Sequence, residues 1–190
     1  CSVSVATRDG EVVGVKGRTN PEKMEGEWLC NEGRYGFDRF ISSSRLLAPI
    51  TMPSKEPVAN WSAKAAGELN VSKGKVGFLV SPFLTYEEAL VTAAFIKKVN
   101  ASETVANFVG IPAYSRELTS VEKIVVSPDY APNAVGVMRA MGMEVGEAFR
   151  KDLDKSVESL LKKVQSGELT SLVLVGDFSL GNIHLSDALK

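Results

Sequence analysis

The stretch "KVGFLVSPFLTYEEALVTAAFIKKV", Lys75 to Val99, decides the fold class. Lys75–Val80 is a short apolar run and reads as a buried strand. Ser81 and Pro82 interrupt it. Thr85 then precedes Glu88 by three residues, the spacing of a capping box, in which each side chain satisfies an orphan backbone amide of the other. Lys97 and Lys98 close the segment, where cations suit the carbonyl end of a helix. A buried strand leading at once into a capped helix is half of a βαβ unit.

The alternation continues downstream. "TVANFVG" (104–110) and "KIVVS" (123–127) read as strands, and "PNAVGVMRAMG" (132–142) as a short helix ended by Gly142. Around "DKSVESLLKKVQSG" (154–167), Leu153, Val157, Leu160, Leu161 and Val164 share one helical face, and Gly167 stops the helix. "SLVLVG" (171–176) reads as a last buried strand. Strands apolar on both faces, alternating with helices, predict a parallel sheet built by right-handed crossovers. Upstream, "NWSAKAAGEL" (60–69) predicts a helix capped by Ser62.

The first third of the chain differs. "SVSVATRDGEVVGVKG" (2–17) alternates Val with small or polar residues around Asp9-Gly10, a pair that accepts positive φ, and predicts a β-hairpin. Residues 18–57 are rich in Gly, Pro, Ser and Asn, with at most a short helix near Arg34–Ser42. The expected class is therefore α/β: a small β-rich, loop-rich module over 1–59, then a Rossmann-like parallel-sheet domain over 60–190.

The bulk numbers exclude several function classes. Apolar residues make up 44% and charged residues 24% of 190, ordinary for a globular chain. Twenty-two Lys and Arg against 23 Asp and Glu leave no broad field for nucleic acid or anionic lipid. No apolar run approaches a membrane span, and nothing resembles a signal peptide, so direct membrane insertion is not expected and a cytoplasmic setting is the default. The chain opens on Cys1 rather than Met, which suggests a fragment of a longer protein.

The two cysteines, Cys1 and Cys30, bracket the hairpin and the loop after it. A hairpin returns the chain to its start, so the two sulfurs are expected near one point. A chance pair of thiols and a disulfide are two readings. The third makes both sulfurs ligands of a metal centre whose other ligands lie upstream. Soft thiolates select zinc, copper or iron–sulfur clusters. A four-iron cluster would also order a module that lacks a large core.

Residues 1–50 resemble the opening of the iron–sulfur/molybdopterin oxidoreductase superfamily. Within it they are most similar to the large iron–sulfur subunit of bacterial NADH:quinone oxidoreductase (complex I). The resemblance is carried by Cys1, Trp28-Leu29-Cys30, Gly33-Arg34-Tyr35-Gly36, and Ser44-Arg45-Leu46 with Pro49. It continues more diffusely through Trp61, "VSPFLTYEEA", Pro132-Asn133 and "LVLVG". It implies that Cys1 and Cys30 are the third and fourth ligands of a 4Fe–4S cluster, handling single electrons. It also implies partners among the other subunits of a respiratory or hydrogenase-type complex, on the cytoplasmic face of a membrane. Glu32 stands where that family has Lys between cluster and pterin, which fits the branch without the molybdenum cofactor. The alternatives are a catalytic fragment of a formate-dehydrogenase-like molybdopterin enzyme, and a non-redox α/β module that binds partners. This chain alone is not expected to be catalytic.

Other residues have side chains suited to chemistry. Arg34 and Arg39 suit a cluster surround or surface ion pairs, and Trp28 and Tyr35 an electron path or an apolar lid. Ligands of open α/β sheets sit at the C-terminal strand ends, which selects Ser81-Pro82, Gly110 and Gly176-Asp177. None of these forms a dinucleotide or P-loop fingerprint. Adjacent Glu87 and Glu88 are expected on different helix faces, and His184, the one histidine, has no ligand-type neighbours in sequence.

Overall fold

A computed structural model of the chain describes residues 2–23, 27–37, 41, 48–50, 54, 56–71, 75–101, 104–114, 119–121, 131–147 and 149–178. The chain divides into two compact units, Cys1–Trp61 and Ser62–Lys190.

In the first unit, β1 (Val3–Arg8) pairs antiparallel with β2 (Glu11–Gly17). Arg8 lies opposite Glu11, so the turn has two residues, and both have positive φ: Asp9 at 52° and Gly10 at 85°. That is a type I′ geometry, whose twist matches the strands it joins. The register shifts between Ala6 and Thr7, a bulge of the kind that increases local twist. At the open end, the Arg18 amide donates to the Ser2 carbonyl at 2.9 Å, and the Asn20 amide group reaches Ser2 Oγ at 3.4 Å.

The helix expected near Arg34–Ser42 starts earlier, as α1 (Asn31–Tyr35). Cys30 acts as its cap, which a sequence search for Ser, Thr, Asp or Asn passes over. Further on, Ile50 and Pro57 form an isolated antiparallel bridge.

Helix α2 (Trp61–Val71) starts on the last residue of the first unit and runs into the second, which also holds β3 (Val76–Val80), α3 (Tyr86–Val99), β4 (Val109–Gly110), α4 (Ala134–Ala140), α5 (Phe149–Gln165) and β5 (Ser171–Val175). Strands β4, β3 and β5 form a parallel sheet in that order, with β3 central. All five residues of β3 are buried, as a strand covered on both faces must be. Phe78 packs edge-on against Phe95 of α3, with centroids 6.1 Å apart. On the other face, Gly77 and Gly110 let α5 come close. A methyl at Gly77 would stand 2.9 Å from Leu160 and Leu169, and one at Gly110 3.0 Å from Leu160. Leu153 and Leu160, on the predicted face of α5, are buried in the core with Ile111, Met138 and Met141. Burying each such side chain contributes about 1.5–3 kcal/mol.

Two side chains lock helices to the sheet. Asn100 Nδ2 donates to the Val76 carbonyl at 3.1 Å, and Ser156 Oγ accepts from the Ile111 amide at 2.9 Å.

The fold departs from the sequence pattern at three further places. Helix α2 begins at Trp61, so Ser62 lies within its first turn; Asn60, with φ 52°, makes the sharp entry that Asn tolerates. "TVANFVG" is mostly a 3-10 turn, Val105–Phe108, closed by the Asn107 amide on the Thr104 carbonyl at 3.0 Å, and only Val109–Gly110 is strand. Strand β5 is half-buried rather than buried, with Leu174 48% exposed, because it pairs only with β3 among the described residues. "KIVVS" lies outside the described residues.

Candidate functional site

The first candidate is Cys30. The carbonyl of Cys30 accepts the Arg34 amide at 2.9 Å, the first hydrogen bond of α1, and its sulfur accepts the Gly33 amide at 3.3 Å. Cys30 therefore does what Ser or Thr does at an N-cap, leaving an exposed thiol held in one direction. Trp28 is 91% exposed and Tyr35 64%, so neither ring forms an apolar lid within this unit.

The segment leading to Cys30 crosses the open end of the hairpin. A methyl placed on Gly17 would collide with the Glu27 carbonyl oxygen and stand 3.2 Å from the backbone carbon of Trp28. Gly17 is the register partner of Val3. The start of β1 and the approach to Cys30 thus lie at the same end of the ribbon. Cys1, Arg39, Ser44, Arg45, Leu46 and His184 lie outside the described residues. Among the described residues no group of three or more His, Cys, Asp or Glu side chains converges as a metal site, so a metal held by the soft sulfur of Cys30 needs further donors.

The second candidate is the C-terminal edge of the parallel sheet. The chain passes from β3 to β4 on one side and returns to β5 on the other. The crevice at such a reversal is where open α/β sheets take ligands. Here it is filled by the protein itself. Ser81 is buried; its Oγ donates to the Asp177 carbonyl at 2.6 Å and accepts the Phe83 amide at 3.3 Å, while its own amide binds the Val175 carbonyl at 2.9 Å. Gly176 has φ 98°, and a methyl there would stand 2.7 Å from Ser81 Cβ and 2.9 Å from Leu84 Cδ2. Phe83 packs edge-on against Tyr114 at 5.1 Å. Asn133 ties the next helix in by donating Nδ2 to the Leu84 carbonyl at 2.8 Å.

Tyr114 is a residue that the sequence pattern does not single out. It is 6% exposed, and its hydroxyl has no hydrogen-bond partner among the described residues. Burial first, and the Asp177 carboxylate second, push its pKa up to about 12. No sequence signal marks it, because the burial comes from segments far apart in the chain.

Beside this edge, α3 and β5 flank a groove of about 540 Å³ lined by Leu84, Glu87, Glu88, Val91, Thr92, Val175 and Gly176. Glu87 and Glu88 both line this groove. Glu88 is committed to its cap: Oε2 accepts the Thr85 amide at 2.8 Å, and the Glu88 amide donates to Thr85 Oγ1 at 3.2 Å.

No protein-family model matches the chain. The chain is 32% identical over 103 residues to the G subunit of NADH-quinone oxidoreductase from Streptomyces coelicolor, an alignment covering 51% of this chain and 12% of that protein.

Proposed function

We propose that this chain is part of an electron-transfer subunit related to the G subunit of NADH-quinone oxidoreductase, in which Cys30 and Cys1 are two thiolate ligands of one 4Fe–4S cluster. The observation that carries the reading is the crossing of Glu27–Trp28 over Gly17, beside the strand that begins at Val3. It brings the approach to Cys30 to the ribbon end from which Ser2 leads back to Cys1. The likeness to the Streptomyces protein supports the relation to a G subunit.

Cys30 fits a cluster ligand by its chemistry: a soft donor, exposed, with its sulfur hydrogen-bonded to a backbone amide. When bound, a 4Fe–4S cluster takes up and releases one electron at a time. The amide donor from Gly33 stabilises negative charge on the sulfur, and such bonds raise the reduction potential of iron–sulfur centres. The remaining thiolates come from the longer protein.

The second unit acts in this reading as a Rossmann-like domain of molybdopterin-oxidoreductase type, serving as scaffold and docking surface without the molybdenum cofactor. The order β4-β3-β5 matches the centre of a doubly wound sheet. The residues at its crevice do not fit a pterin pyrophosphate. Ser81, Gly176 and Leu84 fill the space, and the carboxylate of Asp177 disfavours an anion there. Its partners are the other subunits of a respiratory or hydrogenase-type complex on the cytoplasmic face. Among the described residues no helix is long and apolar enough to cross a membrane.

The test is metal analysis of the full-length protein. Iron with a broad visible absorption, and no molybdenum or tungsten, is expected. Iron-free protein would end the cluster reading, and bound molybdenum would end the scaffold reading of the second unit.

A further inference from the structure

We propose that Gly17 is a positioning residue for Cys30, an inference that rests on Cys30 being a cluster ligand. Gly17 ends β2. A methyl on it would meet the Glu27 carbonyl oxygen and stand 2.6 Å from the Glu27 carbonyl carbon. Against an ordinary carbon contact of about 3.5 Å, the shortfall is roughly 1 Å. The obstructing atoms are backbone, so no change of rotamer relieves the clash, and the segment itself must shift.

Two residues, Trp28 and Leu29, separate Glu27 from Cys30. From there the sulfur is tied into α1 through the Gly33 amide, and the Cys30 carbonyl through the Arg34 amide. Displacing Glu27–Trp28 therefore carries the sulfur and α1 with it. Metal–ligand distances tolerate only about 0.2 Å, well under that displacement. The absence of a side chain at Gly17 sets where the Cys30 thiolate is presented. Gly14, in the same strand, is the natural control, because a methyl there would meet nothing within 4 Å.

The experiment compares full-length wild type, Gly17→Ala and Gly14→Ala by iron content and by the electron paramagnetic resonance spectrum of the reduced cluster. Wild type and Gly14→Ala are expected to match, and Gly17→Ala to lose iron or change its spectrum. Amide exchange at Ser4 and Lys16, a hydrogen-bonded pair of the hairpin two positions on from the Arg18–Ser2 bond, separates displacement from unfolding. Iron loss or spectral change with these amides still protected supports the inference. Full iron with the wild-type spectrum in Gly17→Ala overturns it while the cluster reading stands. Iron loss accompanied by loss of hairpin protection also overturns it, since Gly17 would then serve only the fold. An iron-free wild type overturns the cluster reading itself.

Discussion

The amide of Gly33 donates to the sulfur of Cys30 at 3.3 Å, so a cysteine caps helix α1. Sulfur is a weak acceptor, and the residue type that caps best here would be Ser or Asp. Cys30→Ser should preserve the helix, and Cys30→Ala should weaken the first turn by less than the roughly 1 kcal/mol that loss of an oxygen cap costs. Amide exchange at Gly33 checks this: faster exchange is expected in the Ala variant alone.

Gly176→Ala should be among the most damaging single changes in the second unit. The new methyl meets Ser81 Cβ at 2.7 Å and Leu84 Cδ2 at 2.9 Å, on a backbone with φ 98°. Overpacking of this kind costs about 1–3 kcal/mol, and the left-handed backbone adds about 1 kcal/mol. Urea denaturation measures the sum. A variant as stable as wild type would show that the crevice has room to spare.

Thr85→Ala removes the acceptor for the Glu88 amide and breaks the capping box. About 1 kcal/mol of stability should be lost, a fall of roughly 2–4 °C in Tm. Thr85→Ser should stay within a few tenths of a kcal/mol of wild type, because it keeps the oxygen. Thermal unfolding followed by circular dichroism distinguishes the two.

Tyr114→Phe should be neutral or stabilising, by up to about 1 kcal/mol, since it removes a buried hydroxyl with no partner among the described residues. The same residue gives a pH signature. Its pKa rises from 10.0 to about 12 on folding, so between those values the folded state holds more protons than the unfolded state. Stability from this group is intact below pH 10 and falls as pH rises towards 12. Denaturation midpoints across that range should decline less steeply in Tyr114→Phe than in wild type.

The elements legible in the sequence are those whose local signals agree with their tertiary setting. Asp9-Gly10 specifies the hairpin because the turn needs positive φ at both residues. Thr85 and Glu88 specify the start of α3 because the cap is purely local. Leu153, Val157 and Leu160 specify the buried face of α5 by period alone. The departures have a common cause in longer-range geometry. Apolar content makes Leu172–Val175 look buried, but burial depends on how many neighbours a strand has in the sheet, which its own residues do not encode. Val105–Phe108 has strand composition, and the i to i+3 hydrogen bond from Asn107 draws it into a turn. Both Cys1 and Cys30 stand out in the sequence. The sealing of the sheet edge by Ser81, and the close approach at Gly17, do not, because each depends on backbone brought in from a separate segment.

The most direct measurement is the iron content of the full-length protein beside that of its Cys30→Ser variant. Cys30 is exposed, and Ser keeps the cap, so both proteins should fold alike. The account predicts a full four-iron complement in wild type, and loss of iron with bleaching of the visible absorption in the variant. Equal iron in the two, with identical spectra, would contradict it by showing that the sulfur of Cys30 holds no metal.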